Sequence, residues 1–135
     1  MKLITKDTDY ALAALRALAM HEGQTMSAIQ LARELRISHA FLRKILRILA
    51  GKAIVTSRNG SGGGFTLAKR PGDLSVRYIA EIFQGPIHLN DCAVGNATCE
   101  RARHCVLRGK LKALETRLAS DLMRITVASL VGKHA

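Results

Sequence analysis

Three cysteines are the residues of this chain best suited to chemistry. Cys92, Cys99 and Cys105 lie within 14 residues of a 135-residue sequence that contains no other cysteine. An odd number of cysteines cannot pair completely in disulfides, and the first residues do not resemble a secretory signal. Because disulfide frameworks belong to oxidising compartments, the sequence favours a cytoplasmic protein whose thiolates bind a metal centre or respond to oxidants.

The spacing of the cysteines bears on what they bind. The pattern C-x6-C-x5-C lacks the C-x2-C pairs of zinc ribbons, in which a tight turn brings two sulfur atoms to one small ion. Wider spacing suits an iron-sulfur cluster, whose thiolates bind different iron atoms. The neighbouring Arg101, Arg103 and Arg108 would favour thiolates and an anionic cluster electrostatically. A zinc site and a set of reactive thiols are the alternatives.

Three helices are predicted in the first half of the chain. Thr8 can cap a first helix that ends at Gly23. Ser27 and Gln30 form a capping box for a short second helix. Its apolar positions are Ile29, Leu31, Ala32 and Leu35. After a short turn, Ser38 caps a third helix with one apolar face. The opposite face of the third helix is small and basic, with His39, Ala40, Arg43, Lys44 and Arg47.

A glycine-rich hairpin is predicted directly after the third helix. Residues Ala53–Ser57 and Phe65–Leu67 have strand character, and the tip between them reads R-N-G-S-G-G-G. Glycines permit positive φ angles and bring backbone N–H groups close to phosphates. The tip lacks the Lys-Ser/Thr ending of a P-loop, so nucleotide binding is not indicated. Two helices joined by a turn and followed by such a hairpin form a winged helix-turn-helix.

The charge distribution supports a nucleic-acid contact in the same region. Residues 1–70 carry 12 Lys+Arg and 4 Asp+Glu, so +8 of the formal net charge of +11 lies in this half. A charged face that is merely solvated is the alternative for an isolated helix. Together with the hairpin, the basic face predicts a surface that contacts double-stranded promoter DNA through Ser27, Ser38, His39, Ala40, Arg43, Arg47, Arg58, Asn59 and Ser61.

Two further helices are predicted in the second half. Ser75 caps the first, which Gly85-Pro86 ends, and the second runs from Val106 to Leu130. The second helix has an apolar seam formed by Leu107, Leu111, Leu114, Leu118, Leu122 and Ile125. A monomer would expose this seam, so we expect it to pair two chains in a homodimer, with an intramolecular core helix as the alternative.

The predicted fold is therefore mainly α-helical with a small β-hairpin wing. It consists of a winged helix-turn-helix DNA-binding domain over residues 1–83, a cysteine-rich loop over 84–105, and a dimerisation helix with its tail over 106–135. The apolar runs are too short to span a membrane.

Several motifs together resemble one known family. They are T-D-Y-A-L at Thr8–Leu12, S-R-N-G-S-G-G-G-F at Ser57–Phe65, A-K-R-P at Ala68–Pro71, I-A-E-I at Ile79–Ile82, the three-cysteine loop, and I-T-V-A-S-L at Ile125–Leu130. This combination resembles the Rrf2 family of winged-helix regulators, which includes the iron-sulfur cluster regulator IscR and the nitric-oxide-sensing repressor NsrR. The resemblance implies a homodimeric transcription regulator that binds a pseudo-palindromic operator and whose cluster state sets its affinity for DNA.

The resemblance also implies the cluster ligands. The three cysteines match those of the family, with one residue more between the first two than is usual. The IscR-type pattern has a His three residues after the third cysteine, where this chain has Arg108, which cannot be a ligand. The NsrR-type pattern uses an Asp of the T-D motif from the other subunit, and Asp9 is the matching residue. The resemblance thus favours a 4Fe-4S cluster with Asp9 as the fourth ligand. A 2Fe-2S cluster is the alternative, and His88 and His104 are spare ligand candidates.

The leading hypothesis is a repressor that senses nitric oxide, redox state or iron through this cluster. A regulator without a cluster, which uses its cysteines as a thiol redox switch or a zinc site, is the alternative. An enzyme is not expected, because the sequence neighbours His104 and Cys105 rarely form a catalytic pair and no third group orients them. A structural DNA-compacting protein would have no use for a sensor loop.

Overall fold

Within residues 2–90 and 104–132, which the computed structural model describes, the chain forms six α-helices and one β-hairpin. The helices are α1 Lys6–Met20, α2 Ala28–Leu35, α3 His39–Gly51, α4 Val76–Gln84, α5 Val106–Arg124 and α6 Val127–Leu130. The antiparallel strands are β1 Val55–Arg58 and β2 Gly64–Leu67, and a 3-10 turn over Pro71–Asp73 precedes α4. This architecture confirms the predicted helical fold with a small wing.

One apolar core joins α1–α4, α6 and the hairpin. Its fully buried aliphatic side chains are Leu15, Leu31, Leu42, Ile45, Leu46, Leu49, Ile54, Leu74, Ile79 and Val127. Burying each such side chain contributes about 1.5–3 kcal/mol. Helix α3 supplies four of them from one face, so its opposite face is held outward.

Side-chain caps fix the starts of the helices, and one cap differs from the prediction. The predicted caps Ser27, Ser38 and Ser75 are confirmed. However, Thr5 caps α1, because its Oγ1 accepts the backbone N–H of Thr8 at 3.3 Å. Thr8 lies inside the helix and is fully buried.

Helix boundaries also differ at three other points. Helix α1 ends at Met20 rather than at Gly23, and Gln84 is the last residue of α4 rather than the first of the loop. The predicted single helix from Val106 to Leu130 is broken after Arg124, because Ile125 adopts an extended backbone.

The break after α5 has a tertiary cause. The Ile125 carbonyl accepts the backbone N–H of Val76 at 2.8 Å, and Val127 N–H donates to the Leu74 carbonyl at 2.8 Å. These bonds form a bridge between Ser75 and Thr126, which an α-helical backbone could not make. The chain therefore returns to the core at Val127.

Helix α5 divides the predicted apolar seam between two environments. Leu122 is buried, and Leu111 and Leu118 are half-buried beside α4. Leu107 and Leu114 are 63% and 49% exposed. An apolar stripe on the outer side of α5 thus stays uncovered in the single chain. No helix in the described parts of the chain is long and apolar enough to cross a bilayer.

Candidate nucleic-acid interface and metal centre

The outward face of α3 has the composition that the sequence predicted. Its exposed residues are His39, Ala40, Arg43, Lys44 and Arg47. Four buried aliphatic residues of the same helix hold it against the core. The face is therefore presented to solvent at a fixed orientation, as recognition of a DNA groove requires.

A three-residue turn sets α3 against α2. Arg36 takes the left-handed conformation with φ 55° and ψ 45°. Ile37 donates its N–H to the Ala32 carbonyl at 3.0 Å, and the Ser38 Oγ accepts the Phe41 N–H at 3.2 Å. Backbone hydrogen-bonding groups at the end of α2 and at the start of α3 thus find their partners within the turn and its neighbouring residues.

The wing begins later in the chain than predicted. Ala53 has a φ of +58° and is a turn residue, and the strand starts at Val55. At the tip, Arg58, Asn59 and Ser61 are exposed. One hydrogen bond and one backbone angle shape the tip. The Gly63 N–H donates to the Gly60 carbonyl at 3.0 Å, and Gly60 has a φ of +94°.

The base of the wing is joined to the start of α2. Phe65 N–H donates to the Met26 carbonyl at 2.7 Å, and Met26 N–H donates to the Phe65 carbonyl at 3.1 Å. Gly64 permits this approach, since a Cβ at that position would lie 2.4 Å from the Met26 carbonyl oxygen. Ser27, which follows Met26 and caps α2, is therefore fixed relative to the wing.

These elements converge on one surface cleft of about 250 Å³, which we call the interface cleft. Five predicted DNA-contacting residues line it: Ser27, His39, Arg43, Arg58 and Asn59. The other four, Ser38, Ala40, Arg47 and Ser61, are exposed but do not line it. The structure thus brings the start of α2, the face of α3 and the wing together.

Ile29 also lines the interface cleft, which the sequence reasoning missed. The helical pattern counted Ile29 among the apolar positions of α2, yet its side chain is 54% exposed. A signal was present in the spacing. Residues two positions apart point about 200° apart on a helix, so Ile29 and the buried Leu31 could not face the same core.

Cys105 is the predicted thiolate ligand that the structure describes. It is half-buried at the N-cap of α5, and its Sγ accepts the Arg108 backbone N–H at 3.4 Å. A helix N-terminus favours negative charge on such a group. His104 is exposed beside it. Cys92 and Cys99 lie outside the described residues.

Asp9 is exposed in the first turn of α1. Its carboxylate makes no hydrogen bond or ion pair with any other residue that the structure describes. Within residues 2–90 and 104–132, no three His, Cys, Asp or Glu side chains form a group able to hold a metal ion.

Gln84 connects the segment that bears Asp9 to the end of α4. Its Oε1 accepts the Thr5 N–H at 3.0 Å and the Thr8 hydroxyl at 2.8 Å. Its Nε2 donates to the Leu3 carbonyl at 2.8 Å. The start of α1 is thus fixed at the point where the chain leaves α4 towards the cysteines.

Comparisons with known proteins agree with this geometry. The Rrf2 family model, described as an iron-dependent transcriptional regulator, matches residues 4–133. The chain is 32% identical to the protein rrf2 of Nitratidesulfovibrio vulgaris, covering 100% of this chain and 94% of the relative. It is 28% identical to the transcriptional repressor NsrR of Streptomyces coelicolor, covering 95% and 87%.

A solved structure has the same fold. The global cysteine regulator CymR of B. subtilis superposes with a TM-score of 0.81 at 22% identity, covering 97% of both chains. At this identity the likeness concerns the fold. The winged helix-turn-helix with its C-terminal helices is therefore an architecture shared with CymR.

Proposed function

The chain belongs to the Rrf2 family of transcription regulators, and from that premise we propose that it is a homodimeric repressor that senses nitric oxide, redox state or iron through an iron-sulfur cluster. The interface cleft is the observation that carries the DNA-binding part. The family match and the cysteine set support the sensing part. The two parts have separate tests.

Arg43 is the side chain proposed to read a base. It lies on the exposed face of α3 and lines the interface cleft. An arginine that forms two hydrogen bonds with a guanine edge contributes about 1–3 kcal/mol of discrimination. We propose that Arg58 and Asn59, at the wing, contact the DNA backbone or minor groove. Phosphate contacts of this kind set the register on the duplex rather than the sequence preference.

The uncovered stripe on α5 supports a homodimer. Leu107 and Leu114 are large apolar side chains that remain exposed on one helix face. A second copy of the same helix would cover them with an identical apolar face, which is the usual way that symmetric dimers bury such stripes. Two recognition helices in one dimer would require a pseudo-palindromic operator.

The donor set fits an iron-sulfur cluster. Cys105 lies at the N-cap of α5, where its Sγ accepts the Arg108 backbone N–H, and hydrogen bonds to sulfur are part of the surroundings that orient and tune cluster ligands. We propose that Cys92 and Cys99 are the other thiolate ligands and that the partner's Asp9 is the fourth. A bound 4Fe-4S cluster would supply an iron atom that reacts with nitric oxide or oxygen, and a 2Fe-2S cluster is the alternative.

Ligands from two subunits would link sensing to DNA affinity. Asp9 lies at the start of α1, which Gln84 fixes to α4, whereas Cys105 lies at the start of α5. A group bound by both subunits stabilises one arrangement of the dimer, and its loss releases that arrangement. The spacing of the two α3 helices, and hence operator affinity, changes with it.

The DNA-binding proposal is tested on an operator selected from random duplex DNA with the purified protein. Arg43→Ala should weaken operator binding by about 1–3 kcal/mol and relax selectivity at one position per half-site. Arg70→Ala removes the same charge from an exposed side chain outside both the interface cleft and α5, and is the matched control. Equal losses on operator and random DNA would place Arg43 on phosphates instead.

The cluster proposal is tested by purifying the protein without oxygen. We expect brown protein with bound iron and sulfide and visible absorption that nitric oxide alters. Colourless protein that binds its operator in a thiol-dependent or zinc-dependent manner would contradict the cluster and favour the regulator without one. The iron-to-sulfide ratio and the spectrum distinguish a 4Fe-4S from a 2Fe-2S cluster.

A further inference from the structure

Glu115 is a buried carboxylate that the proposed DNA contacts and cluster ligands do not use. It lies in the middle of α5 and is 7% exposed, the only charged residue buried among those that the structure describes. Removing a carboxylate from water is unfavourable unless hydrogen bonds or opposite charges compensate. The partners of Glu115 therefore indicate what it does.

Both carboxylate oxygens of Glu115 face the segment that follows α4. Oε1 accepts the backbone N–H of Leu89 at 2.7 Å, a short charge-assisted hydrogen bond. Oε2 lies 3.9 Å from His88 Nδ1. Arg77 lines a surface cleft together with Glu115 and His88, but it pairs with Glu81 at 2.9 Å. The closest contact of Glu115 is thus with loop backbone and not with a basic side chain.

Helix α5 also holds the chain on the other side of the cysteine-bearing segment. Cys105 is its N-cap, and Glu115 follows ten residues later, about 15 Å along the helix axis. One helix therefore fixes Leu89, three residues before Cys92, and Cys105 itself.

We propose that Glu115 is a positioning residue that holds the start of the cysteine-bearing segment, residues 89–105, against α5. Its carboxylate holds the Leu89 amide, which sets the point from which the chain approaches Cys92. A change in ligation at the cysteines is then passed directly to α5, the proposed dimer helix. This inference rests on the proposed function only in treating the cysteines as cluster ligands.

The hydrogen bond from the Leu89 N–H to the Glu115 carboxylate, which we call the anchor, is tested first in metal-free protein. Glu115→Leu removes the acceptor, whereas Glu115→Gln keeps an amide oxygen that can accept the Leu89 N–H. We expect hydrogen exchange in peptides containing Leu89, and maleimide labelling of Cys92, to accelerate about ten-fold in the leucine variant. The glutamine variant should stay near wild type. Glu22→Gln, which alters an exposed acidic residue just after α1 and away from the Glu115 cleft, is the control and should change neither rate.

Leu89→Pro tests the same bond from its donor side. It removes the N–H from a loop residue and leaves Glu115 unchanged, so it is informative even if the leucine variant does not fold. The same acceleration at Cys92 is expected. Wild-type labelling rates in both Leu89→Pro and a folded Glu115→Leu would overturn the anchor.

The second readout is the reconstituted cluster. In Glu115→Leu we expect an altered visible circular dichroism spectrum and cluster loss in air several-fold faster than in the glutamine variant. If wild-type protein holds no iron while the metal-free rates still change, the cluster proposal fails and the anchor stands. If wild-type protein holds the cluster and neither rate nor spectrum changes in the leucine variant, the anchor fails alone.

Discussion

Gly64 is the residue at which the wing meets the start of α2, and Gly64→Ala tests that junction. An added Cβ would lie 2.4 Å from the Met26 carbonyl oxygen, 2.5 Å from the Met26 carbonyl carbon and 2.8 Å from the Ser27 nitrogen. All three are backbone atoms, so no side chain can move aside. We expect the two hydrogen bonds between Met26 and Phe65 to be lost or lengthened.

The size of the effect follows from these contacts. Each of the two backbone hydrogen bonds contributes about 1 kcal/mol net, and inserting a methyl group into a packed site costs about 1–3 kcal/mol. The free energy of unfolding should fall by about 3–5 kcal/mol. For a chain of this length the melting temperature then drops by roughly 12–20 °C.

Two other glycines provide controls for Gly64→Ala. Gly62 has a φ of +77° but open space around it, so Gly62→Ala should cost only the left-handed backbone, about 1–2 kcal/mol. Gly51 has neither restriction, and Gly51→Ala should be neutral or stabilise by up to about 1 kcal/mol. Thermal and urea unfolding followed by circular dichroism measure all three. If Gly64→Ala unfolds like Gly51→Ala, the backbone at Gly64 does not lie against Met26 as described, and the proposed junction between the wing and α2 is wrong.

Three further outcomes are expected. Leu114→Glu, at a side chain 49% exposed in the single chain, should fold normally but sediment as a monomer at micromolar concentration; a persistent dimer would place the interface elsewhere. After anaerobic reconstitution, Asp9→Ala should lose the wild-type spectrum and nitric-oxide response while His104→Ala keeps them, and the reverse result would make His104 the ligand. Thr8→Val should lower the free energy of unfolding by about 1 kcal/mol, because the hydroxyl that donates to Gln84 is removed from a buried site; an unchanged unfolding curve would contradict that role.

Interactions within one helical turn could be read from the sequence. Ser27, Ser38 and Ser75 each cap a helix through a backbone N–H three residues further along. The outward basic face of α3 also follows from the sequence, in which apolar and basic residues alternate at helical spacing. Local signals were therefore sufficient for the positions of α2 and α3 and for the presence of the wing, although not for the start of its first strand.

Contacts between distant residues account for the errors at the start of α1 and at the end of α5. Thr5 and Thr8 both have a cap-forming side chain, and the choice between them depends on Gln84, which lies 76 residues beyond Thr8. The end of α5 at Arg124 depends on backbone pairing with the residues before α4. No pattern within either segment contains this information, so the sequence could not give these boundaries.

The packing of the helices limits how a signal at the cysteines can reach DNA. Helix α5 packs on α4, α4 on α1, and α1 on α3, and the carbonyl of Ile125 is bonded to the Val76 N–H at the base of α4. Buried aliphatic side chains fill the contacts between α1, α3 and α4, and such close-packed interiors transmit displacement rather than absorb it. A shift of α5 in the proposed dimer would therefore move the interface cleft as a unit. In the proposed function, a signal at the cysteines would then act through the distance between two clefts, and the residues proposed to contact DNA would not need to change their own arrangement.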